Sequence, residues 1–263
     1  MPSPTPLPVN PVRAALRHRQ LCPGGWIQIG HPAVAEIFGR AGFAWVGLDC
    51  EHSDLDLGSL AGLLRGLHGR GPVPLVRVRE NQTLAIRQAL DLGAGGVIVP
   101  LVHNAAAARA AVRAAKYPPA GERGFAFTRA NDYGADFDAY ARGANEQTAV
   151  VVMIESREAV ENIESILGVE GVDGVFVGPY DLSGSYGVPG ELEHPAVVAA
   201  QQRVLAACAA AGRSAGLHLV TPTPESVRAT LARGFTFLAL GMDTVFLRES
   251  ARMSLDLANL KTV

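Results

Sequence analysis

Lysine is almost missing from this chain of 263 residues: only Lys116 and Lys261 occur, and neither ends an apolar run. Schiff-base chemistry, one common way to hold a carbanion, therefore has no candidate residue. Cysteine is scarce as well. Cys22, Cys50 and Cys208 are odd in number, widely spaced and match no metal-ligand pattern, so they read as buried thiols of a protein in the reducing cytoplasm. Charge of either sign is sparse, and the net charge of −2 gives no electrostatic case for nucleic acid or a membrane surface. No apolar stretch is long enough to cross a bilayer. The opening MPSPTPLPVNP lacks the charged-then-apolar order of a signal peptide, and residues 1–9 are expected to form a flexible tail before a single domain over 10–263. A glycine-rich phosphate turn is missing too. "IQIGHPAV" after the first apolar run is a poor one, which argues against both a doubly wound sheet and a nucleotide cofactor.

What is present is a regular alternation. Eight short apolar runs stand out: Trp26–Gly30, Trp45–Asp49, Pro74–Val78, Gly96–Pro100, Ala149–Glu155, Gly174–Gly178, Ala215–Leu219 and Phe235–Gly241. Their near-continuous hydrophobicity suits strands covered on both faces. Helical patterns rich in Ala, Leu and Arg lie between most of them, over 57–69, 82–92, 104–116, 157–167, 195–211 and 223–233. Alternation of this length predicts an α/β fold, a single-domain (β/α)8 TIM barrel. The longest departure, 117–148, is read as a functional or interface insertion, and an amphipathic helix near 245–259 closes the chain.

Barrel enzymes place their chemistry at the carboxyl ends of the strands. There the sequence offers Asp49, Glu51 and His52 after the second run, Arg77 in the third, Glu155 ending the fifth, and Asp181 in "GPYDLSGS" after the sixth. Glu155 and Asp181 end adjacent strands, where two carboxylates repel unless a cation joins them. An all-oxygen set favours a hard ion such as Mg²⁺ or Mn²⁺; the competing reading is a Glu–Arg ion pair and a helix cap at Asp181. Asp49 either orients the His52 imidazole as a general base or caps the next turn and leaves His52 at the surface. Arg77 has the planar fork that clamps an anionic oxygen, or else it pairs with Glu155 or Asp49. His218 and Asp243 stand at the same rim without a defining spacing.

The motifs "GFAWVGLDCEH" (42–52), "PLVRV" (74–78), "LDLGAGGVIVP" (90–100), "YPPAGERG" (117–124), "MIES" (153–156) and "GVDGVFVGPYDLSGSYG" (171–187) together resemble the HpcH/HpaI aldolases, metal-dependent class II pyruvate aldolases, over nearly the whole chain. The resemblance implies reversible cleavage of a 4-hydroxy-2-oxo acid, of the 2-keto-3-deoxy sugar acid or dicarboxylate type, to pyruvate and an aldehyde. It implies Glu155 and Asp181 as ligands of Mg²⁺ or Mn²⁺ (Co²⁺ as an option), His52 with Asp49 as an acid/base dyad, Arg77 on the keto oxygen, and Gly178, Tyr180 and Asp181 around the substrate carboxylate. It further implies a hexamer, a trimer of dimers, whose C-terminal helix is exchanged between subunits. Two positions depart from the pattern: Met153 replaces a glutamine of some relatives, and Tyr180 a small residue. A CoA-thioester lyase, an oxaloacetate decarboxylase and a non-enzymatic keto-acid binder are the alternatives on the same scaffold. Arg123 and Arg129 are the thin support for CoA.

Overall fold

The computed structural model describes residue 7 and residues 9–257, so most of the proline-rich segment, and residues 258–263, lie outside the described residues. Eight strands run in parallel: β1 (Cys22–Ile27), β2 (Trp45–Asp49), β3 (Val73–Arg77), β4 (Gly96–Val99), β5 (Ala149–Ile154), β6 (Gly174–Val177), β7 (Ser214–Leu219) and β8 (Phe237–Met242). Each pairs with the next in sequence, and β8 pairs with β1 to close the barrel. Helix α1 (Pro11–Arg17) precedes the sheet; α2 (Pro32–Arg40), α3 (Leu57–Gly66), α4 (Thr83–Asp91) and α5 (Ala105–Ala115) follow β1 to β4 in turn. Helix α6 (Phe137–Gln147) lies in the insertion, α7 (Arg157–Glu161) and α8 (Ile163–Leu167) follow β5, and α9 (Pro179–Ser185) and α10 (Pro195–Ala211) follow β6. The chain ends with α11 (Pro224–Arg233) after β7 and α12 (Asp243–Leu257) after β8. No described helix is long and apolar enough to cross a membrane.

The period of two along a strand divides the core. In β5, Ala149, Val151 and Met153 fill the barrel interior with Trp26, Trp45, Leu75, Ile98, Phe176 and Phe237. Val150, Val152 and Ile154 point outward against the helices. Val12 and Leu16 of α1 join the interior cluster and plug the amino-terminal end of the barrel. This plug leaves the carboxyl end as the open face.

Two expectations need correction. The first strand begins four residues earlier than the apolar run suggested, at Cys22 rather than Trp26. The segment Pro23-Gly24-Gly25 looks like a turn, yet it is strand because side chains of other elements occupy the space: a Cβ on Gly24 would collide with the Trp45 indole, and one on Gly25 would sit 2.7 Å from Phe38. The helix expected over 157–167 is broken at Asn162 into α7 and α8. Lys116 caps α5 and is buried, its ammonium donating to the Asn145 and Thr148 carbonyls at 2.7 Å each, at the foot of β5.

Candidate active site

The register of β2 on β3 sets Asp49 opposite Arg77. Their side chains meet in a two-pronged ion pair: Arg77 Nε donates to Asp49 Oδ1 at 2.8 Å and Nη2 to Oδ2 at 2.7 Å. Such a fork fixes the guanidinium plane as well as its position. Gln28, just past β1, donates to Asp49 Oδ2 at 2.8 Å, and the Arg77 guanidinium lies over the Trp26 ring, 5.1 Å from its centroid. Burial alone would raise the Asp49 carboxyl. The bonds and charge of Arg77 outweigh it, with help from Gln28 and the His52 amide, and hold Asp49 at about 2.

That depression makes a stability statement. The unfolded carboxyl titrates near 3.9, so the stabilisation is complete above that pH and is lost as pH falls toward about 2. It amounts to roughly 2–3 kcal/mol by linkage. Urea unfolding of the wild type should therefore weaken more steeply between about pH 4 and pH 2 than that of Asp49→Asn, which cannot titrate there. Equal slopes for the two proteins would contradict the assignment.

After Asp49 the chain turns sharply, and Asp49 Oδ1 accepts from the backbone N–H of Glu51 and of His52, both at 3.2 Å. The carboxylate thus contacts the His52 backbone rather than its ring. The imidazole is 60% exposed, and its Nε2 lies 3.8 Å from Glu51 Oε2. Of the two sequence readings, this geometry is the capped turn, with His52 at the mouth of the cavity. Glu51 proves closer to the centre than its place in the motif suggested. Its Oε2 approaches Arg77 Nη1 at 3.2 Å, but the oxygen is buried and has no well-aligned hydrogen-bond donor.

Glu155 follows β5 and is buried. Its Oε1 accepts from the Leu101 N–H at 2.6 Å. Leu101 holds a left-handed φ of 55°, a conformation that costs a non-glycine residue about 1–2 kcal/mol and is tolerated here where it aims an amide at the acid. Gly178, at the end of β6, presses against the other side: a Cβ there would lie 3.0 Å from Glu155 Oε2. Pro179 starts α9, whose first turn carries Asp181 into the same cavity. Burial raises the Glu155 carboxyl above its usual range; the Leu101 amide opposes this, and the Glu51 and Asp181 charges push it further up. Glu51 is raised for the same reasons, by burial first and then against the pull of Arg77 by Asp49 and Asp181.

The cavity above these groups has a volume of about 290 Å³. Trp26, Met153, Phe176 and Val177 form its apolar wall, and His52, Arg77, Gly178, Tyr180, Asp181 and His218 bring the polar groups. Met153, where some relatives carry glutamine, thus belongs to the wall and offers no hydrogen bond to the acids. Tyr180 is exposed at the rim. Asp243, the other rim acid, is structural: its carboxylate accepts from the Gln28, Ile29 and Thr244 amides. Arg123 and Arg129 also serve the fold. Arg123 is buried against Asp91 and the Tyr117 and Tyr140 rings, and Arg129 donates to the Leu92 and Leu64 carbonyls. Neither is free to hold the phosphates of CoA. Gln28 and Leu101 escaped the sequence reading; a glutamine in the run "WIQIG" was the visible signal for the first, and nothing marks the second.

A closed parallel barrel whose carboxyl end holds a cavity lined by Arg77, Asp181 and His218, with Glu51 and Glu155 close by, has the architecture of a TIM-barrel enzyme. The profile of the HpcH/HpaI aldolase/citrate lyase family matches residues 24–250, and the chain belongs to that family. A hydroxypyruvate/pyruvate aldolase of Pseudomonas aeruginosa is 40% identical over 94% of this chain and 91% of its own. A 5-keto-4-deoxy-D-glucarate aldolase of Shigella dysenteriae is 36% identical over 94% and 96%. The crystal structure of an HpcH/HpaI aldolase/citrate lyase family protein from Burkholderia cenocepacia superposes with a TM-score of 0.91 at 32% identity, covering 96% of this chain and all of that one.

Proposed function

We propose that the site described here performs reversible aldol cleavage of a 4-hydroxy-2-oxo acid to pyruvate and an aldehyde, with Arg77 and a divalent cation facing the developing enolate. The chain is a carbon–carbon lyase, as its aldolase relatives at 36–40% identity indicate. The observation that carries the site assignment is an excess of negative charge. Glu51 and Glu155 are both raised, by burial first and then by neighbouring carboxylates including Asp181, and Glu51 Oε2 is buried with no aligned hydrogen bond although Arg77 Nη1 lies 3.2 Å away. Among the described residues no three His, Cys, Asp or Glu side chains gather into a ready-made cage. A pair of oxygen ligands is what suits Mg²⁺ or Mn²⁺, which keep open positions for water and substrate. Glu155 and Asp181 are the residues that would hold the ion, and when bound it supplies positive charge for the substrate oxygens.

The chain's own groups divide the rest of the work. Backbone amides opening α9, after Gly178, face the substrate carboxylate beside Tyr180 and Asp181. Arg77, its plane locked by Asp49 and Trp26, donates to the keto oxygen as negative charge develops there. The 4-hydroxyl gives its proton to a water held by His52 at the cavity mouth. The C3–C4 bond then breaks, its electron pair moves into the enolate, the aldehyde leaves, and a proton delivered to C3 yields pyruvate. A screen of aldehydes with pyruvate, with and without Mn²⁺, tests the reading: aldol products that need the metal support it, and products that survive exhaustive chelation overturn the metal's part.

The same reading places the enzyme in the cytoplasm as a hexamer, a trimer of dimers that exchanges α12. In support, Phe246, Leu247, Met253, Leu255 and Leu257 of α12 are exposed, and Phe246, Met253 and Leu257 share one helical face that a lone subunit leaves uncovered. Light scattering should return about six times the 27.6 kDa chain mass; a monomer in dilute buffer would refute the exchange.

A further inference from the structure

His218 ends up in the cavity but has no part in the chemistry above. It lies near the end of β7, and its ring stacks on Trp26 at a centroid distance of 5.6 Å and 23° between planes. The Arg77 guanidinium lies over that same indole, so one tryptophan positions both groups. His218 Nε2 is 3.3 Å from the Gly241 carbonyl oxygen. A carbonyl only accepts, so Nε2 carries the proton, and Nδ1 of the neutral ring is an acceptor. Among the described residues Nδ1 has no partner, while the ring borders the cavity. Burial, together with the Arg77 charge, pushes the imidazole down to about 4 against the pull of Gly241 and Asp49, so it stays neutral at working pH.

The neighbouring wall is Trp26, Phe176 and Val177; the one donor among them, the Trp26 indole N–H, belongs to the ring stacked on the imidazole, and among the described residues no hydrogen bond joins it to Nδ1. A lone acceptor in such a wall favours a ligand that brings a donor, because leaving it dry is costly. It also disfavours a carboxylate at the same spot. Arg77 is the one permanently charged cation among the described lining residues, and Asp49 and Glu51 already engage it.

We propose that His218 is a specificity-determining residue that accepts a hydrogen bond from a substrate hydroxyl carried on, or one carbon away from, the bond being made or broken. The inference rests on the aldolase reading. The hydroxyl belongs either to C3 of a hydroxylated keto acid or to the carbon next to the aldehyde carbonyl, and the chemistry is the same in both.

The test compares wild type, His218→Leu and His218→Gln in the synthetic direction with Mn²⁺. Pyruvate and hydroxypyruvate serve as donors, and propanal and the nearly isosteric glycolaldehyde as acceptors. The wild type should prefer the hydroxylated member of one pair by at least tenfold in kcat/KM. In His218→Leu that preference should collapse by roughly 10–100-fold, in whichever arm supplies the hydroxyl, and His218→Gln, which keeps an acceptor, should recover most of it. The collapse should be the same from about pH 6 to pH 9, because the ring does not titrate there. Equal losses on all four pairs, or a preference that survives in the leucine variant, would overturn the proposal. Failure of the wild type to form any aldol product, or to exchange the pyruvate methyl protons for deuterium, would instead overturn the aldolase reading itself.

Discussion

Glu155→Gln should lose stoichiometric Mn²⁺ binding and at least ~10³-fold in aldol turnover. A metal's charge contributes several kcal/mol to an enolate-forming transition state, and each 1.4 kcal/mol is a factor of about ten. The substitution is close to isosteric, so the contact from the Leu101 amide to the side-chain oxygen can persist. Folding should survive, as judged by an unchanged far-ultraviolet spectrum, because the burial that raises Glu155 weighs against the charged form. Asp181→Asn should behave alike. Electron paramagnetic resonance of free Mn²⁺ reads the binding without reference to turnover. Tight binding of one ion per subunit in both variants would remove the two acids from the metal site.

His52→Ala should retain Mn²⁺ and lower cleavage by ~10²–10⁴-fold, the range usual for a lost acid/base group. The exposed position of the imidazole fits a group that trades protons with water at the cavity mouth. With the Asp49 carboxylate bound to the backbone of the turn and to Arg77, the acidic neighbour of the ring is Glu51. Enolate formation from pyruvate alone, followed by deuterium exchange, should separate this role from that of Arg77: the exchange needs Arg77, while carbon–carbon cleavage needs both. Normal cleavage by the alanine variant would exclude His52 from the reaction.

The architecture was legible because eight apolar, β-branched runs and the helices between them leave few other ways to bury so much aliphatic surface. The sequence also marked the charged residues at the strand ends. What it hid was governed by side-chain direction and by tertiary neighbours. Whether Asp49 turns its carboxylate to a ring or to a backbone depends on how tightly residues 50–53 fold back, and two amides and one arginine settle it. Leu101 was invisible because left-handed backbone at a leucine carries no compositional signature. The glycines of β1 misled for the opposite reason: they resemble a turn, and only the Trp45 and Phe38 side chains, distant in sequence, explain their absence of bulk. His218 was noticed as a rim residue, but its stacking on Trp26 and its bond to Gly241 could be read only from the closed sheet.

The tie made by Asp243 carries a consequence for how the enzyme comes into being on the ribosome. Its carboxylate holds the Gln28 and Ile29 amides, and Gln28 in turn steadies Asp49. A segment synthesised 215 residues after Gln28 therefore tightens the support of groups made on the first two strands. A nascent polypeptide that has threaded seven strands still has an unsealed seam at this point, and it should acquire catalytic competence late, once translation has passed the final stave.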